Sequence, residues 1–227
     1  MNSFRRHWYK VGLVIAVGVI VLLVIRWQAF GVLQRLSLLN FAALLIHQFE
    51  EYGWPGGGPP FVNKAIRRGD PPDRYPLNQN NAMFINVIFA YPFYLIPVFF
   101  PNVIWLGLAP VVFGMGQFIG HGIAMNLKLK SLYNPGLFAV VVGHIPIGVY
   151  YLYYIYSRHL VTWWDWVFAA AYIAFFIGFL MQTVAYGWLA SKDSPYPFDD
   201  VEMRRFNIDA KLARLSSPSR VQGPKSW

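Results

Sequence analysis

Fifteen consecutive residues, Val11–Ile25, carry no charge, and runs of this kind recur along the rest of the chain. A helix that crosses the hydrocarbon of a bilayer needs about 20 mostly apolar residues. Six segments qualify: roughly 8–27, 36–52, 82–100, 103–125, 137–156 and 164–190. The expected fold is therefore all-α, a polytopic membrane helix bundle of about six transmembrane helices over residues 1–190. The polar remainder, 191–227, reads as a tail. The bonds Tyr91-Pro92, Ile96-Pro97 and Ile145-Pro146 call for kinks, because proline lacks an N–H and its ring collides with the preceding turn.

The spacing of the charges gives an orientation. Of the 19 lysines and arginines, only Arg26, Arg35 and Arg158 fall on the far side of the spans if the N-terminus lies inside. Positive charge accumulates on cytoplasmic loops, so both ends of the chain are expected in the cytoplasm. In a soluble protein the net charge of +9 would suggest nucleic acid; here topology accounts for it, and no nucleic-acid partner is expected. Arg5 and Arg6 followed by an apolar run could open a signal peptide. No small-x-small cleavage site follows, so the first span reads as an uncleaved anchor. The chain has no cysteine, which excludes disulfides, thiolate metal sites and a cysteine nucleophile.

Two polar segments invite a role. Gly53–Asn80 is too long for a simple connector and reads either as a lid over a site or as a solvated loop held at headgroups by Lys64, Arg67 and Arg68. In the tail, Val201, Phe206, Ile208, Leu212 and Leu215 alternate with charges, as in a helix lying on a membrane surface.

Ionisable side chains inside spans are costly and usually functional. The second span ends in His47-Gln48-Phe49-Glu50-Glu51-Tyr52, where spacings of three and four place His47, Glu50 and Glu51 on one helix face. An imidazole and two carboxylates can ligate a divalent metal or move protons. The third span brings Asn81, a natural helix cap, and Asn86. The fourth brings Gln117, His121 and Asn126 amid glycines that permit close approach, and Tyr133 and Asn134 precede His144 in the fifth. With the topology set by lysine and arginine alone, these residues fall in one layer. The metal set is His47, Glu50, Glu51 and His121. The catalytic set is Glu50, Glu51, Asn86 and Asn126, and Asn81, Gln117, Tyr133, Asn134 and His144 stand behind them. Without thiolates, zinc, iron and manganese all suit such ligands. The tyrosines of Tyr150–Tyr156 read as an aromatic belt, and no phosphate-binding loop, dinucleotide fingerprint or hydrolase elbow is present.

His47-x-x-Glu50-Glu51-Tyr52, Trp54-Pro55-Gly56, Asn81-x4-Asn86, His121-x4-Asn126 and Tyr133-Asn134-Pro135-Gly136 occur in this order. The sequence thereby resembles the bacterial membrane-protein family named for its HxxEE motif, over about residues 40–145. That resemblance implies an integral enzyme of the bacterial inner membrane with no assigned reaction. A fainter similarity to the emopamil-binding sterol isomerases is confined to histidine and acids on packed helices. The favoured expectation is a metal-dependent membrane enzyme acting on a lipid-like or amphipathic substrate. One glutamate would help bind the ion and the other would act as base. The alternatives are a metal-free proton-shuttling isomerase and a non-catalytic subunit of a membrane complex or a pigment or quinone binder.

Overall fold

The computed structural model describes residues 2–216, and every element in them is helical. Arg220 and Lys225, which belong to the lysines and arginines counted above, lie outside the described residues. Six helices are long and apolar enough to cross a membrane, so the chain is a multi-pass membrane protein of the expected class. They are α1 (Asn2–Ile25), α2 (Val32–Tyr52), α4 (Gln79–Phe99), α5 (Ile104–Leu129), α6 (Ala139–Ser157) and α7 (Trp163–Trp188). A short helix, α3, covers 58–66, and two more, α8 (Asp200–Arg204) and α9 (Ile208–Ser216), form the tail.

The most buried span is α2, and its neighbours wrap around it. Leu45, Phe93, Leu108, Val111, Tyr151 and Phe176 fill the centre of the bundle. Phe93 and Phe176 stack with ring centroids 4.4 Å apart. Association inside a bilayer depends on such close packing, since lipid is as apolar as the side chains. Exposed apolar residues ring the outside, among them Val14, Val24, Ile119 and Val142.

Proline shapes the spans by a route the sequence did not reveal. Just before Pro92 and Pro146 the helices widen into i→i−5 turns, Phe84–Phe89 and Ala139–His144, marked by Ala90 N–H to Ile85 O and Ile145 N–H to Val140 O. A wider turn moves backbone out of the path of the proline ring. A third wide stretch, Ile119–Met125, and a fourth, Phe175–Trp188, contain no proline. Three of the four carry a candidate residue: Asn86, His144 and His121.

Asn78, rather than Asn81, caps α4. Its side-chain oxygen accepts from the N–H groups of Asn80 and Asn81 at 3.0 and 3.1 Å, while Asn81 Oδ1 accepts from Asn78 N–H at 2.8 Å. The Asn81 amide also donates to Pro76 O and Ala185 O. It is a clamp between α4 and α7, turned to backbone rather than to the layer it was expected to support.

The 53–78 segment folds back under the bundle. Its hub is Asn63, fully buried, which donates to Pro72 O and Leu77 O and accepts from Leu77 N–H. The tail closes over it from below. The single surface helix expected across 201–215 is broken instead, because Phe206 takes left-handed angles (φ 56°, ψ 13°) between α8 and α9. Ile208 is then buried against Phe61, Ala65, Met125 and Leu129, with Phe206 and Leu212 packed beside it, while Val201 stays 67% exposed. The Arg205 guanidinium donates to the carbonyl of Tyr52, and Lys64 pairs with Asp209 at 2.7 Å rather than standing free for headgroups. The start of α1 joins the same end of the molecule: Arg5 donates to Asn80 Oδ1 and lies over the Tyr196 ring.

Candidate metal centre

One turn of α2 separates His47 from Glu51, so both point to the same neighbour, the widened stretch of α5 that carries His121. Glu51 lies between the imidazoles, with Oε2 3.7 Å from His47 Nε2 and Oε1 3.5 Å from His121 Nε2. The two rings meet edge to face, centroids 4.7 Å apart. Ligand atoms of all three lie within 4.8 Å of one another, and both histidines are buried.

Hydrogen bonds at the other nitrogens fix the direction of each ring. His47 Nδ1 is 3.1 Å from the carbonyl oxygen of Gly136, and His121 Nδ1 is 2.8 Å from Asn134 Oδ1. Both partners are acceptors, so each Nδ1 carries its proton and donates it. Each Nε2 therefore keeps its lone pair on the side of Glu51. Asn134 is itself held, its amide donating to His121 O at 2.6 Å and Asn126 Oδ1 at 2.7 Å. Asn126 thus orients the residue that orients His121, and it lies outside the ligand group.

Gly136 makes this arrangement possible. Its φ of +101° suits glycine, and a Cβ there would lie 2.6 Å from His121 Cε1 and 2.9 Å from His47 Cε1. The turn Tyr133–Gly136 was legible as a motif; its role as the wall against which both imidazoles rest was not.

The two glutamates part company. Glu50 Oε1 accepts from the Tyr133 hydroxyl and Oε2 from the Ala139 N–H, both at 2.7 Å. Its carboxylate sits on the first turn of α6, where an orphan N–H and the helix dipole both favour an anion. It is an anchor for that helix. Neither of its oxygens belongs to the His47–Glu51–His121 group, so the expected sharing of a site by both acids is replaced by a division of labour. Burial first, and then the bond to Glu50, push the Tyr133 hydroxyl above its ordinary value; it stays a donor at neutral pH.

Asn86 and Gln117 line a cavity of about 140 Å³ whose wall includes His47 and Glu51. The Asn86 amide donates to Ala82 O at 2.8 Å and more weakly to the Tyr52 hydroxyl at 3.4 Å. Farther in, the Phe113, Phe176 and Met181 side chains make the cavity apolar. His144 stands behind His47 with ring centroids 6.0 Å apart, and its Nδ1 is 2.7 Å from Asn40 Oδ1. Asn40 was missed at the sequence level, although it precedes His47 by two turns and so shares its face. Arg205, which ties the tail to the end of α2, left no recognisable pattern either.

A family model described as protein of unknown function with HXXEE motif matches residues 38–151, the stretch holding all three members of the group and the residues that orient them. No curated protein and no solved structure matches the chain.

Proposed function

The chain belongs to the HXXEE motif family, and we propose that it is a membrane enzyme that binds one divalent transition-metal ion at His47, Glu51 and His121 and acts on an amphipathic substrate. One observation carries the reading. At 3.5 and 3.7 Å the imidazole nitrogens are too far from the carboxylate for good hydrogen bonds. Two ligand atoms each 2.0–2.2 Å from a tetrahedral ion stand about 3.4 Å apart. Each nitrogen–oxygen spacing is close to that of two ligands on one ion, with a different oxygen of Glu51 nearest each imidazole. The buttressed Nδ1 protons are the outer arrangement that metal-binding histidines need.

Three protein ligands leave a position for water or substrate, as in catalytic rather than structural sites. When bound, the ion would supply a Lewis acid that lowers the pKa of a coordinated water toward neutrality. The chain's own residues do the rest. Asn86 and Gln117 present amides to the same cavity and orient a polar substrate group there. The apolar inner wall takes an apolar portion and keeps bulk water away. Glu50 has no part in proton transfer under this reading, because one of its oxygens holds the first turn of α6 and the other the Tyr133 hydroxyl in the loop before it. On the lysine and arginine distribution this end of the bundle is proposed to face the cytoplasm, in a bacterial inner membrane as the family resemblance implies.

Metal analysis of protein purified without affinity-tag metals tests the proposal. Wild type is expected to carry close to one zinc, iron or manganese per chain, with H121A and E51Q nearly empty and E50Q still loaded. Full function in chelator by metal-free wild type would overturn it and favour the isomerase reading, in which the same three groups exchange protons.

A further inference from the structure

A second cleft, of about 210 Å³, reaches the candidate centre from the side, between α3 and α5. Phe61, Val62 and Ile66 form one wall, Gly120, Ala124 and Met125 the other, and the inner end is Glu51 and His121. Along the same stretch of α5, Ile119, Ile123 and Leu127 are 67%, 47% and 75% exposed, a lipid-facing row. Ala124 is five residues from the end of α5, about 8 Å inside it at 1.5 Å per residue. The mouth thus opens beside this exposed apolar row, within the span rather than beyond its end. Space beside Gly120 is open, since a Cβ added there meets nothing within 4 Å, so a large side chain placed there has room to enter the cleft.

We propose that this cleft is a lateral doorway through which a lipid acyl chain with an uncharged polar end, an ester or a hydroxyl, slides from the membrane to Glu51 and His121. The proposal rests on the metal-centre reading and gives that site its substrate class. The walls are apolar and match an acyl chain, and the polar end meets the two ligating groups. Among the described residues no lysine or arginine lines the cleft, so these walls offer no side chain to neutralise a phosphate or carboxylate head. Another apolar cleft, lined by Ile20, Leu39, Ile46 and Val142 between α1, α2 and α6, has no ionisable residue on its walls among the described residues and offers a chain nothing there to react with.

The probe is a monoacylglycerol bearing a diazirine a few carbons from its ester, photolysed with the full-length protein in nanodiscs and mapped by mass spectrometry. Label is expected on 61–66 and 119–125, and to fall about tenfold, equivalent to 1.4 kcal/mol, in G120F and in A124W. Both sites are exposed, so metal content and melting temperature should match wild type; the second substitution serves if the first fails to fold. Undiminished label in the folded variants, label concentrated at Ile20, Leu39 and Val142, or no label in wild type would each overturn the doorway. Metal content is read on the same samples, so an empty wild-type centre counts against the metal-centre reading while the label map still judges the doorway.

Discussion

The carbonyl of Gly136 accepts the Nδ1 proton of His47 across 3.1 Å, joining the loop before α6 to the second span at the point where the two imidazoles converge. The loop thereby aims His47 and, through Asn134, His121. Several consequences of this coupling can be measured.

G136A forces an alanine to φ +101° and sets its methyl against both rings. Backbone strain of this kind costs about 1–3 kcal/mol. Because the rings must turn, metal affinity should fall at least about tenfold, as read by competition with a chromophoric chelator.

Asn134 aligns His121 without belonging to the ligand group. N134A should weaken metal binding by about 10–100-fold, with N134D, which keeps an acceptor at the Nδ1 proton, recovering part of the loss. Equal loss in both would mean that Asn134 serves only the fold.

Tyr133 and Glu50 predict the converse. Y133F should lower stability by about 1–2 kcal/mol, the worth of a hydrogen bond to a charged group reduced for a side chain that is 38% exposed. Metal content should be unchanged. The sign with pH follows from the raised pKa of the hydroxyl. Its contribution is complete below the unfolded value near 10 and is lost as pH rises through the folded one. Melting temperatures taken from pH 9 upward should therefore fall more steeply for wild type than for Y133F once past about pH 10.

Arg205 tests the docking of the tail. It donates to Tyr52 O and its side chain lies against Gly56, so R205A should release α8 and α9 and expose the 53–78 segment. Limited proteolysis is expected to cut that segment several-fold faster in R205A than in wild type, with the six spans intact.

The spans were legible because each needs only an apolar run of sufficient length, a property of composition that survives any detail of packing. The same holds for His47 and Glu51, whose spacing of four fixes a shared face without tertiary information. Glu50 and Glu51 could not be told apart in this way. Neighbours on a helix differ by 100° in direction, and which one meets His121 depends on where the first turn of α6 docks. The wide turns before Pro92 and Pro146 were invisible because a hydrophobic pattern reports burial, not hydrogen-bond register. The tail misled for a related reason: amphipathicity shows that a face will be covered, and the cover proved to be Phe61, Met125 and Leu129 instead of lipid.

The widened stretch Ile119–Met125 bears on how such a chain tolerates change. Each i→i−5 turn accommodates about one more residue than a regular helix, so the portions of α5 above and below it are out of phase. Deleting a single residue there would close the wide turn to a regular one and leave a rod still ample to traverse the bilayer, its two ends keeping their directions. The wide turn is thus where this span could shed a residue without losing its path through the bilayer, and what it would forfeit is the aim of His121 at Glu51.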